Sequence, residues 1–67
     1  MTFMQTNAGK TLVEHFTKFG NSNKHVVGRE ELAQAMLDRF TRMHGAANTR
    51  TVAAKANQKM KFKFYEV

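Results

Sequence analysis

The most regular stretch of the 67-residue chain is GREELAQAMLDRFTRMHG, residues 28–45. Its apolar side chains recur every three or four positions, which is typical of an amphipathic helix. They are Leu32, Met36, Phe40 and Met43. Gly28 is expected as the N-cap, so that Glu30 and Glu31 fall in the first turn, where the helix dipole favours negative charge. Gly45 is expected to end the helix.

A first helix is predicted over residues 8–19. Its apolar face is formed by Leu12, Phe16 and Phe19. Thr6 or Asn7 supplies the N-cap oxygen. Gly20 is expected to stop this helix, because glycine adopts the left-handed conformation at no steric cost.

A third helix is predicted over residues 48–57, with Asn48 as its N-cap. Its apolar side is small and consists of Val52, Ala53 and Ala56. Because small side chains bury little area, this helix is expected to be mostly exposed.

The period changes to two after the third helix. In KMKFKFY, residues 59–65, lysines alternate with apolar side chains, which predicts a half-buried β-strand. A single strand needs a neighbour. The candidates are residues 2–5, residues 24–27, or the same strand of a second copy, and the last of these favours a homodimer.

These elements predict one small α+β domain over residues 1–67, mainly α, with three helices and a C-terminal strand. Its core is expected to consist of Leu12, Phe16, Leu32, Met36, Phe40, Phe62 and Phe64. Val27 and Leu32 are placed to pack as a hydrophobic staple at the start of the second helix.

The formal net charge of +6 is distributed unevenly. Residues 1–38 include four basic and four acidic residues, whereas residues 39–67 include seven basic residues and one acidic residue, Glu66. A charge asymmetry of this size indicates that one end of the fold meets an anionic partner.

Catalysis and metal binding have little support in the sequence. There is no cysteine, and no two of the three histidines have the i, i+4 spacing of a helical metal site. A chain of this length has little room for both a core and a water-excluding pocket. We therefore expect no enzyme activity, no metal and no cofactor.

No apolar run approaches the roughly 18 residues that a transmembrane helix needs. Residues 1–10 lack the basic-then-apolar layout of a secretory signal, and there is no cysteine for a disulfide. An intracellular location, in the cytoplasm or nucleoid, and no membrane partner are expected.

The order of helix, extended segment, helix, turn, helix and strand resembles a winged-helix domain, one of the helix-turn-helix DNA-binding families. Residues 27–33, VGREELA, resemble the start of its first helix-turn-helix helix, and residues 48–52, NTRTV, resemble the start of a recognition helix. The resemblance implies that the third helix enters the major groove. Thr49 and Arg50 would then meet base edges, and Lys55 would meet phosphates.

The sequence therefore predicts a small basic nucleic-acid-binding module, with DNA favoured over RNA, that acts as a regulator. Tyr65 falls on the lysine side of the predicted strand and is expected to stack on bases. The predicted binding residues are Arg39, Arg42, Thr49, Arg50, Lys55, Lys59, Lys61, Lys63 and Tyr65.

A second hypothesis is a small protein that binds and inhibits or redirects a larger host protein, as virus-encoded proteins do. The basic end would dock on an acidic protein surface, and the strand edge would extend a partner's sheet. A structural or ribosome-associated role shares the basic charge and stays open at this point.

Overall fold

The regular structure of residues 2–67, the part of the chain that the computed structural model describes, is helical. In chain order it comprises a 3₁₀ helix at Phe3–Gln5, α1 at Asn7–Asn23, α2 at Arg29–His44 and α3 at Ala46–Met60. These residues contain no β-strand, so the predicted α+β class with a C-terminal strand is wrong. Met1, which belongs to the N-terminal residues 1–10 that lack the pattern of a secretory signal, lies outside the described residues.

Helix α1 begins as predicted and ends later than predicted. Thr6 is its N-cap, with Oγ1 accepting a hydrogen bond from the Gly9 amide at 3.0 Å. The helix does not stop at Gly20 but continues to Asn23. Gly20 serves close packing instead, because a side chain at this position would overlap the sulfur of Met60.

Helix α2 confirms the prediction at both ends. Gly28 is the N-cap in the left-handed conformation (φ 82°), and Glu30 and Glu31 occupy the first turn. Gly45 is the C-cap. The predicted staple is wrong, since Val27 is 100% exposed.

Helix α3 is longer than predicted and central in the fold rather than peripheral. Gly45, with φ 88°, ends α2 and is also the N-cap of α3. Asn48 is therefore not a cap, and its amide nitrogen donates to the His44 carbonyl. Val52, Ala53 and Ala56 are all buried, because α3 packs against both α1 and α2.

The segment after α3 folds back onto the helices instead of forming a strand. Lys61 caps α3 in the left-handed conformation (φ 65°), and its amide donates to the Asn57 carbonyl. The side chain of Asn57 then holds the returning chain. Its Oδ1 accepts from the amides of Phe64 and Tyr65 at 3.1 Å each, and its Nδ2 donates to the Tyr65 carbonyl at 2.9 Å.

None of the expected strand partners is a strand. Residues 2–5 lead into and form the 3₁₀ helix, and residues 24–27 belong to the turns between α1 and α2. The Asn57 amide takes over the backbone pairing that a neighbouring strand would have supplied. Residues 59–65 therefore leave no unpaired strand that would favour a homodimer, and dimerisation stays a prediction.

The core lies where α1, α2, α3 and the returning segment meet. Of the predicted core, Phe16, Met36 and Phe64 are buried, and Leu32 is partly exposed. The remaining three pack against the core while partly exposed: Leu12, Phe40 and Phe62. The buried hydrophobic residues outside the predicted core are Val13, Ala33, Leu37, Val52, Ala53, Ala56 and Tyr65.

Candidate functional site

The outer face of α3 is the most basic helical surface in the described chain. Residues 46–60 contain Arg50, Lys55 and Lys59 and no acidic residue. All three side chains are exposed, because the small apolar side of the helix is turned toward α1 and α2. An exposed helical face with cations and no carboxylate creates a positive potential that attracts anions.

A depression of about 360 Å³ lies between α3, α1 and the 3₁₀ helix. It is lined by Met4, Lys10, Val13, Glu14, Lys55 and Lys59. The lysines come from two different helices, so tertiary packing brings Lys55 and Lys59 of α3 to the same depression as Lys10 of α1. Met4 and Val13 supply apolar surface beneath them.

A second depression of about 540 Å³ adjoins the first along α3. It is lined by Met4, Arg50, Thr51, Ala54, Lys55 and Gln58. Met4 and Lys55 line both depressions, so the two form one shallow groove along the outer face of α3, which we call the basic groove. Its cations are Lys10, Arg50, Lys55 and Lys59, and its single acidic residue is Glu14.

The cations of the basic groove are not neutralised by ion pairs. Within residues 2–67 the ion pairs join Arg29 to Glu30 and Lys63 to Glu66. Neither pair includes a groove residue. Apart from Glu14, the mutual repulsion of the four cations is relieved by water and mobile counterions, which a bound polyanion would displace.

The 3₁₀ helix positions Met4 in the groove through contacts with the start of α1. The Thr6 hydroxyl donates to the Phe3 carbonyl at 2.6 Å, and the Thr2 amide donates to Oε1 of Gln5 at 2.9 Å. Gly9 lies directly under this turn, where a side chain would overlap the Phe3 carbonyl oxygen. The missing side chain of Gly9 thus lets the 3₁₀ helix lie against α1.

Two of the predicted binding residues are buried and unavailable to a partner. Tyr65, expected to stack on bases, is 0% exposed, and its hydroxyl donates to the Phe16 carbonyl at 2.8 Å. The prediction is wrong because the segment is not a strand, so alternation does not decide which side chains face out. Burial also raises the pKa of the Tyr65 phenol. Thr49 is 4% exposed.

The other predicted residues divide between the groove and elsewhere. Arg50, Lys55 and Lys59 line the basic groove. The remaining four are exposed but line neither of its depressions: Arg39 and Arg42 on α2, and Lys61 and Lys63 after α3. Of these, Lys63 pairs with Glu66 at 3.5 Å.

Sequence reasoning missed several residues of the groove. Thr51 and Gln58 share the outer side of α3 with Arg50 and Lys55, a pattern that helical spacing would have shown had the helix been extended to Met60. Met4 and Lys10 carry no such signal in the sequence. They belong to the net-neutral part of the chain and reach the groove only through packing.

The described residues offer no alternative centre of metal chemistry. Within residues 2–67, no three histidine, aspartate or glutamate side chains lie close enough together to hold a metal ion. No helix in the same range has the length and apolar character to cross a membrane. The basic groove is therefore the candidate functional site of the described chain.

Comparison with known proteins does not identify a family for this chain. The chain matches no protein-family model, no curated protein and no solved structure.

Proposed function

We propose that this chain binds nucleic acid, with DNA favoured, through the basic groove, and acts as a small regulator. The observation that carries the proposal is the outer face of α3, which displays Arg50, Lys55 and Lys59 without an acidic residue in the helix or an ion pair to these side chains. Lys10 of α1 adds a fourth cation to the same groove.

Phosphate neutralisation supplies the affinity. Each phosphate that a lysine or arginine neutralises releases condensed counterions, and this entropic gain dominates non-specific binding. Thr51 and Gln58 lie among the cations. The Gln58 amide can donate to or accept from base edges, and the Thr51 hydroxyl, which donates to the Ala47 carbonyl, can accept from them. The groove therefore combines phosphate contacts with groups that can form hydrogen bonds to bases.

The test is a charge reversal with a matched control. The double variant Arg50→Glu with Lys55→Glu should fold, because both side chains are exposed, and should abolish retardation of a DNA duplex or single strand in gels. The control, Lys18→Glu with Lys24→Glu, changes the net charge equally at exposed positions outside the groove, and should retain most of the binding. Equal loss in both variants would contradict a localised site.

Lys10 is unsuitable as a control, although it belongs to the net-neutral part of the chain. It lines the same depression as Lys55 and Lys59. Lys10→Glu is therefore expected to weaken binding together with the α3 variants.

A second candidate function is the binding of a larger protein. The observation that favours it is the turn before α2, where Val27 is 100% and Val26 is 43% exposed. Apolar side chains on a protruding turn are suited to a partner's pocket. The strand-addition mode does not apply, since residues 59–65 form no strand. A nuclease-resistant partner that Val27→Ser releases, with DNA binding unchanged, would support this function.

A further inference from the structure

Among the described residues, Glu14 is the single acidic side chain that lines a depression with three lysines. It lies one helical turn from Lys10 on α1 and lines the same surface as Lys55 and Lys59. Its carboxylate is not within ion-pair distance of any of these lysines, since the ion pairs of residues 2–67 lie elsewhere. A free carboxylate at this point weakens the attraction for phosphate, but it is also a strong hydrogen-bond acceptor.

The floor of this depression is apolar. Met4 and Val13 line it, and the 3₁₀ helix holds Met4 in place. A methionine thioether makes favourable contacts with aromatic rings, and a nucleobase offers such a ring when it is not stacked in a duplex. Within residues 2–67, the phenylalanines and Tyr65 are at least partly buried, and neither exposed histidine, His15 or His25, lines the depression.

We infer that the depression around Glu14 binds one unpaired nucleotide of a single strand, an inference that rests on the nucleic-acid function proposed above. The three ammonium groups take the phosphates, Met4 contacts the face of the base, and Glu14 accepts a hydrogen bond from its exocyclic amino group. Carboxylates accept from cytosine N4 in this way. The volume of about 360 Å³ falls at the lower end of the range of small-ligand sites.

Two consequences follow from this arrangement. A base in a duplex has its faces stacked and its pairing edge occupied, so the groove should prefer single-stranded segments over duplex. Thymine has no exocyclic amino group, and the one N–H donor on its pairing edge, at N3, lies between two carbonyl oxygens that repel a carboxylate, so cytosine-containing strands should bind more tightly than thymine-containing ones.

The test is fluorescence anisotropy with oligonucleotides of about 12 nucleotides, a length within the range that single-strand-binding folds cover. The probes are oligo-dC, oligo-dT and a mixed-sequence duplex of the same length. The wild-type protein should bind oligo-dC about fivefold more tightly than oligo-dT, the effect of one net hydrogen bond. It should bind the duplex more weakly than oligo-dC.

Glu14→Ala separates a contact from a general charge effect. This variant should bind oligo-dT more tightly than the wild type and should lose the preference for oligo-dC. Glu31→Ala is the matched control, because Glu31 is an exposed acid outside the groove. It should shift both affinities equally and keep their ratio. Glu14→Leu, which keeps a long side chain but has no acceptor, serves as a second variant with the same expected result if Glu14→Ala unfolds.

The outcomes separate this inference from the proposed function. Duplex binding that equals or exceeds single-strand binding, or an oligo-dC preference that survives Glu14→Ala, overturns the inference and leaves the nucleic-acid function standing. Binding to none of the three probes overturns both.

Discussion

The hydroxyl of Tyr65 donates a hydrogen bond to the backbone carbonyl of Phe16, with 2.8 Å between the two oxygens. The two residues are 49 positions apart, and their rings lie 5.0 Å apart between centroids. Both side chains are fully buried. This contact ties the last residues of the chain to the middle of α1, where a strand with an outward-facing tyrosine had been expected.

Tyr65→Phe should lower the free energy of unfolding by about 1 kcal/mol, because it removes one buried hydrogen bond and keeps the ring packing. Urea unfolding at neutral pH measures the change. An unchanged midpoint would show that the hydrogen bond from Tyr65 to the Phe16 carbonyl does not stabilise the fold.

The same tyrosine predicts a pH dependence. Burial raises the pKa of the phenol above its ordinary value of 10.0, so the folded state favours the neutral form. The stabilisation by the buried neutral phenol is complete below the pKa that this group has in the unfolded chain. Stability falls as the pH rises above about 10, where the phenol ionises readily in the unfolded chain but not in the folded one. The wild type should therefore lose more stability between pH 9 and 11 than Tyr65→Phe, which has no phenol to ionise. Parallel losses in the two proteins would contradict the assignment.

The Asn57 side chain should be the second anchor of the returning segment. Asn57→Ala removes three hydrogen bonds to the backbone of Phe64 and Tyr65, at an expected cost of about 2–3 kcal/mol. Asn48→Ala is the control in the same helix, since Asn48 makes one hydrogen bond, to the His44 carbonyl. Urea unfolding should rank the two variants in that order. Equal losses would mean that Asn57 holds nothing in place.

Gly9→Ala should destabilise the protein and weaken nucleic-acid binding together. The added carbon would overlap the Phe3 carbonyl oxygen, a backbone atom, so the 3₁₀ helix that carries Met4 must shift, at about 1–3 kcal/mol.

Gly20→Ala is the comparison for that variant. Its added carbon meets the end of the Met60 side chain, which can move aside, and alanine favours the helix. Gly20→Ala should lower the thermal unfolding temperature less than Gly9→Ala does, and it should weaken nucleic-acid binding, measured by fluorescence anisotropy, less as well. The reverse order would contradict the placement of the 3₁₀ helix.

Helix α2 was predictable because its signals are local: a glycine at each end, acids in the first turn and a regular apolar stripe. Helix α3 was underestimated, because Ala53 and Ala56 bury little area individually and gave no strong stripe, although they pack at the centre. The alternation of residues 59–65 was misleading, because a strand needs a partner and nothing in the sequence shows that the Asn57 amide takes its place.

The candidate site was predictable only where its residues lie close together in the sequence. Charge asymmetry and the winged-helix resemblance pointed to Arg50 and Lys55, and charge asymmetry pointed to Lys59, all in one helix. Lys10 and Met4 come from the other end of the chain, and only packing brings them to the groove. The prediction of Tyr65 as a binding residue was wrong, because its exposure was inferred from the alternation of a strand that does not form.

The most direct measurement of the central claim is the salt dependence of DNA affinity for the wild type and for Lys55→Ala with Lys59→Ala. If the basic groove neutralises phosphates, the logarithm of the association constant should fall linearly with the logarithm of salt concentration, by about 0.7–0.9 per phosphate contact. The double variant should bind more weakly, with a slope shallower by about two such contacts. A wild type that shows no binding at ~50 mM salt, or a slope that the double variant leaves unchanged, would contradict the account.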